Sequence, residues 1–185
     1  MPEKIKIIEL KKALIDLERK DIEKLICDLF KSDNLAERII SSYLLGDKYQ
    51  AQLLDEYKEK MESIYFPDNL SKGFSQREAK NLISEYKKIS ANQQYILDLM
   101  LYYVECGTGF TNTYGDIDMK FYNSLLSVFD DLIKQIEKHP DEKMYRVFRA
   151  RLIELTYEVR DIGWGYGDYI VEEVSRLEHE FMEEE

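Results

Sequence analysis

Residues 90–106 read SANQQYILDLMLYYVEC. Past the first turn, the polar side chains are confined to Gln94, Asp98 and Glu105. Wound at 3.6 residues per turn, they form one narrow strip, and every other position is apolar. The spacing predicts the central, most buried helix of an all-α fold. Ser90 and Gln93 match a capping box, in which each side chain satisfies an orphan backbone N–H at the helix start.

Outward from that helix the same period recurs. Helices are expected over about 5–17, 21–32 (with Asp21 as cap), 34–45 (stopped by Gly46) and 48–65. Another opens at the Ser75/Glu78 box and carries Ala79, Leu82, Ile83 and Tyr86. Three more follow over about 118–138, from 140, and over 168–183; the second of these starts on Pro140-Asp141-Glu142, with proline at N1 and acids in the first turn. With only three prolines and eight glycines, and no four alternating positions, no strand is expected. The fold class is therefore all-α, with about nine amphipathic helices stacked as antiparallel hairpins in a bundle or short solenoid-like array. The 185 residues are read as one helical domain, with a candidate subdomain boundary near 66–74 (FPDNLSKGF).

The net charge is −11, and it is unevenly placed. Residues 1–92 hold 17 basic and 17 acidic side chains, whereas 93–185 hold 9 and 20. Such a surface repels phosphate backbones and anionic lipid, so neither nucleic acid nor membrane is expected as a partner. The longest uninterrupted apolar run is six residues, far short of a membrane span. No secretory leader is visible, and Cys27 and Cys106 form no CxxC, which together fit reduced thiols in a cytoplasm. Cys27 reads as a semi-buried inert thiol, and Cys106, at a helix C-terminus, gains no help in ionising. With only two histidines, and Asp116 and Asp118 reading as caps, no metal or other cofactor is expected.

Two connectors exceed ordinary turns. Residues 107–118, GTGFTNTYGDID, make a twelve-residue stretch where a helix–helix connection usually takes about 2–8. Residues 162–168, IGWGYGD, hold the sole tryptophan between glycines. The bland reading makes their aspartates caps and their aromatics satellite packing. The sharper one has them converge into a ligand site built from Thr111, Asn112, Tyr114, Asp116, Trp164, Tyr166 and Arg151. Arg151 enters because it falls within the apolar arc of its helix and must meet carboxylates such as Asp98, Glu154 or Glu158, or else an anionic ligand. Trp164 is expected to pack inward on 107–118, where truncating a buried tryptophan costs about 3–5 kcal/mol.

The segments KKALIDLERKDIEKLICDLFK (11–31), GFSQREAKNLISEYKK (73–88), LMLYYVECGTGFTNTYGDID (99–118) and DIGWGYGDYI (161–170) together resemble an all-helical bacterial family of unknown function. Its distinctive parts are FTNTYGDID and GWGYGDY, here 110–118 and 163–169. The resemblance implies a cytoplasmic, largely helical bacterial protein and transfers no site residue. The leading functional expectation is a non-enzymatic helical interaction or adaptor domain, since no nucleophile–base pair stands out and a groove between helices accepts a basic or apolar helix. The alternative is a small-ligand or enzymatic protein whose site is formed by 107–118 and 162–168.

Overall fold

The computed structural model describes residues 4–68, 74–139 and 142–182. Among them the fold is all-α, with no strand. Its helices are α1 (Ile7–Asp16), α2 (Arg19–Ser32), α3 (Asn34–Leu45), α4 (Asp47–Tyr65), α5 (Gln76–Ile89), α6 (Gln93–Tyr114), α7 (Met119–Glu137), α8 (Lys143–Glu158) and α9 (Tyr166–Met182). The chain forms two compact units, Met1–Gly46 and Asp47–Glu185.

In the first unit α2 packs on α3. Asp33 caps α3 by accepting the Ala36 N–H at 2.8 Å, and Gly46 ends it at φ +69°, a conformation that suits a residue without Cβ. Asp21 does not cap α2. Glu18 holds that position, and Asp21 sits in the first turn, where its charge still suits the helix dipole. Cys27 is exposed rather than half-buried.

In the second unit α6 packs against α4, α5, α7 and α8, and α8 against α9. Leu97, Leu99, Leu101, Tyr103 and Val104 of α6 are completely buried, as its near-continuous apolar surface requires. Tyrosines supply much of the core, with Tyr57, Tyr65, Tyr86, Tyr103, Tyr122, Tyr145 and Tyr166 fully enclosed. A buried phenol needs a partner. Accordingly Tyr86 donates to the Gln50 carbonyl at 3.1 Å, Tyr103 pairs with Ser124 at 3.0 Å, and Tyr145 donates to Glu178 at 2.5 Å.

Local signals explain the starts of these helices. Ser75 accepts the Glu78 N–H at 3.3 Å, and Asp118 accepts that of Phe121 at 2.8 Å. Ser90 does not open α6. Asn92 does, accepting the Tyr95 N–H at 3.3 Å, because the Ser90 hydroxyl is committed to Gln50 Oε1 at 2.8 Å. Pro140 and Asp141 lie outside the described residues, as do 69–73 of the 66–74 stretch. Its flanks Phe66 and Phe74 both set their rings against Phe110, at 6.3 and 4.6 Å.

The largest correction concerns the two connectors. Residues 107–114 are not loop but the last two turns of α6, and α9 already begins at Tyr166. The glycines and threonines that read as breakers are each used inside the helix. A Cβ on Gly107 would stand 2.4 Å from Leu125 Cδ2, so the glycine lets α7 approach. Thr108 Oγ1 meets the Tyr166 hydroxyl at 2.7 Å, and Thr113 Oγ1 bonds back to the Gly109 carbonyl at 2.8 Å.

Candidate functional site

Extending α6 to Tyr114 carries its C-terminal turns alongside the end of α8 and the start of α9, so the two unusual stretches meet. Asn112 Nδ2 donates to the Glu158 carbonyl at 3.0 Å. Tyr166, fully buried, lays its ring 5.2 Å from that of Tyr122. Asp116 is no cap. One of its oxygens accepts the Trp164 indole N–H at 2.7 Å and the other the Tyr122 hydroxyl. The Tyr122 hydrogen bond, with help from Trp164, holds the Asp116 carboxyl below the usual carboxylate range.

These contacts staple the two segments together. Thr111 and Tyr166 are buried, Thr111 lying 3.4 Å from the Tyr122 hydroxyl. Asn112, Tyr114, Asp116 and Trp164 stay at the surface. Trp164 touches the 107–118 stretch as expected, but 54% of its surface is exposed and its φ is +59°. The ring is not swallowed, so the cost of a buried tryptophan does not apply. Trp164→Ala is expected to cost about 1–2 kcal/mol, one hydrogen bond plus partial burial. Trp164→Gly should sit closer to wild type, because glycine takes positive φ without strain. Thermal melts of the two variants check that order.

A cavity lies beside the staple, between α6 and α8. It measures about 420 Å³ and is lined by Tyr102, Glu105, Cys106 and Gly109 from α6, by Arg151, Glu154, Leu155 and Glu158 from α8, and by Phe66. Both helices contribute at i, i+3, i+4 and i+7, one face each. Of the seven candidate site residues, only Arg151 lines it. Its Nε and Nη2 form a two-pronged bond to Glu105 at 2.8 and 2.6 Å, and its Nη1 reaches Asp98 at 2.6 Å. Lys58 also reaches Asp98, at 2.7 Å. Burial works against the guanidinium charge, but the bonds to Glu105 and Asp98 prevail and hold its pKa above the ordinary arginine value. Asp98 was among the partners expected for Arg151; Glu105 was not, although it shares the polar strip of α6.

Two carboxylates remain. Glu154 and Glu158 stand one turn apart on α8, exposed at the cavity, with no cation paired to either among the described residues. Partial desolvation at the cavity, then repulsion from Glu154 and Glu105, pushes the Glu158 carboxyl above its usual range. Burial pushes the Cys106 thiol up to about 12, so it stays protonated and unreactive at neutral pH. Among the described residues no group of three or more His, Cys, Asp or Glu side chains is placed to hold a metal ion. Nor is any helix long and apolar enough to cross a membrane.

Three carboxylates against one guanidinium, with Phe66 and Tyr102 as aromatic walls, define an all-α protein with an acidic, aromatic-sided cavity. The chain belongs to a family of unknown function, DUF6155, whose sequence profile matches residues 5–173. No curated protein and no solved structure matches it.

Proposed function

We propose that this protein is a non-enzymatic helical interaction domain that docks a basic segment of a partner protein, seating a lysine or arginine side chain in the cavity between α6 and α8. The observation that carries this reading is the pair Glu154 and Glu158, like charges one helical turn apart with no cation paired to either among the described residues. Such a pair is worth a few tenths of a kcal/mol against the helix, about 0.2–0.5, and a bound cation reverses the sign. Tyr102 and Phe66 add aromatic side chains to the cavity wall, and Lys58 Nζ, 5.4 Å from the Tyr102 ring centroid, already makes the kind of cation–ring contact a bound lysine would make there. The charge of the chain supports a basic partner over nucleic acid, and the free thiols Cys27 and Cys106 support a cytoplasmic setting.

The test is titration with a lysine-rich helical peptide at several pH values and salt concentrations. A carboxyl whose pKa is raised in the free protein binds its proton more readily there. A bound cation lowers that pKa, so binding releases protons, and affinity should fall as pH drops through the raised Glu158 value. Glu154→Gln/Glu158→Gln should weaken binding about tenfold or more while leaving the fold slightly more stable at neutral pH. Affinity unchanged by pH and by the double variant would refute the reading.

A second reading, a small-ligand or enzymatic protein whose site is formed by 107–118 and 162–168, draws on the contact between those stretches and on the adjoining cavity, which has Gly109 in its wall and a volume in the range of small-molecule sites. Butylammonium ion, which lacks a peptide chain, tests it in the same titration.

A further inference from the structure

Trp164 combines three features. It is the sole tryptophan, it holds φ at +59°, and 54% of its surface faces solvent. Positive φ is unfavourable for a bulky side chain, and burial of the ring does not offset it here. What the conformation achieves is presentation. The indole N–H is pinned to Asp116 at 2.7 Å, and that carboxylate is itself held by Tyr122, so an exposed ring is fixed in one orientation.

The ring does not stand alone. Tyr114, two residues before Asp116, is 49% exposed and stacks on Phe66, with centroids 6.3 Å apart at 28°. Phe66 lines the acidic cavity. From the other side, Asn112 ties the end of α6 to the carbonyl of Glu158, another cavity residue. Tyr114 is therefore joined to the acidic cavity through Phe66, and the stretch that holds Tyr114 and Asp116, the partner of Trp164, is tied to it again through Asn112 and Glu158.

We infer that the Trp164–Tyr114 rim is the apolar half of one docking face, whose occupant is a basic amphipathic helix of a partner protein: a cationic side chain enters the cavity while an apolar residue of the same helix packs on the indole. This rests on the proposed function and names the partner's chemistry. Three arguments select that occupant. All of the −11 net charge falls within residues 47–185, and Met1–Gly46 carries 9 basic and 9 acidic side chains, so a basic partner is attracted to this unit. Tryptophan and tyrosine are the side chains that most often dominate binding energy, above all when held rigid beforehand. A lone ammonium ion fills only the cavity, so an occupant that touches rim and cavity together must be a chain.

The experiment uses the full chain and an 18-residue helical peptide of leucine and lysine, with a lysine/serine peptide and butylammonium ion as companions. As the sole tryptophan, Trp164 reports on the rim directly. Its emission should shift to the blue with the leucine/lysine peptide and stay put with butylammonium. The leucine/lysine peptide should bind about tenfold or more tighter than the lysine/serine one, and Trp164→Gly should erase that difference while leaving butylammonium binding unchanged. Peptide binding with no emission shift and no effect of Trp164→Gly overturns this inference and leaves the proposed function standing. Binding of butylammonium but neither peptide overturns both in favour of a small ligand, and binding of no probe overturns both outright. If Trp164→Gly fails to fold, the emission of the unaltered protein still decides.

Discussion

Replacing Gly167 by alanine is expected to lower the melting temperature by roughly 6–12 °C, the equivalent of about 3 kcal/mol in a chain of this size. Gly167 is buried in the first turn of α9, where alanine by propensity alone would gain up to about 1 kcal/mol. The surroundings reverse that sign. An added Cβ would stand 2.3 Å from the Val159 carbonyl oxygen and 3.2 Å from that of Ile162. Both atoms belong to the backbone that turns from α8 into α9, so neither can swing aside as a side chain would. Gly107→Ala is the informative comparison. There the Cβ would meet only the Leu125 side chain, at 2.4 and 2.7 Å, and a leucine can rotate, although Leu125 is fully buried and moves its neighbours with it. The expected cost is about 1–2 kcal/mol, again offset in part by helix propensity. Equal melting points for Gly167→Ala and the parent would show that the α8–α9 turn shifts freely, and would weaken the case for a rigid Trp164 rim.

The same two glycines show where the sequence was legible. Periodicity marked every helix of the described residues because each carries an apolar stripe, which α4 to α9 bury while α1 and α2 leave theirs exposed, and the polar strip Gln94, Asp98, Glu105 singled out α6 as central. It failed at 107–114, where Gly, Thr and Asn carry turn propensity on their own but are satisfied here by tertiary contacts: Leu125 beside Gly107, Tyr166 on Thr108, Glu158 on Asn112. Propensity sees only neighbours in sequence, and those partners are distant in it. The cavity was half legible. Arg151, Glu154 and Glu158 attract notice as charges at i, i+3 and i+7 on one helix, and positions 102, 105, 106 and 109 repeat that spacing on α6. Nothing in either pattern says that the two faces oppose each other, which follows from packing α8 on α6. Asp116 was misread for a similar reason. A Gly-Asp pair before a helix usually caps, yet Asp118 takes the cap and frees Asp116 for Trp164 and Tyr122.

Arg151→Met should act on stability and on binding with opposite signs. The guanidinium satisfies both oxygens of Glu105 and one of Asp98, and about a quarter of each side chain is exposed, near 30%, 23% and 22%. A fully buried pair broken on one side loses about 3–5 kcal/mol, and partial exposure reduces that to about 2–4. Asp98 keeps Lys58, so most of the loss falls on Glu105, left charged and unpaired against α8. A second change, Glu105→Leu, should therefore recover most of it, because well-packed apolar groups often replace an ion pair without penalty. At Arg176, by contrast, the bridges to Glu137, Glu173 and Glu180 surround a side chain that is 42% exposed, and Arg176→Met should stay within about 1 kcal/mol. Denaturant melts of the three variants rank these effects. Binding runs the other way. Without Arg151 the cavity loses the one lining cation among the described residues while Glu105, Glu154 and Glu158 remain, so a folded Arg151→Met protein should hold a lysine-rich peptide several-fold more tightly than the parent. Arg151→Met/Glu105→Leu should return that affinity toward the parent value. Weaker peptide binding by a folded Arg151→Met variant would mean that the guanidinium shapes the cavity wall instead of competing with the incoming cation, and the acidic-cavity reading would then fail on its electrostatics.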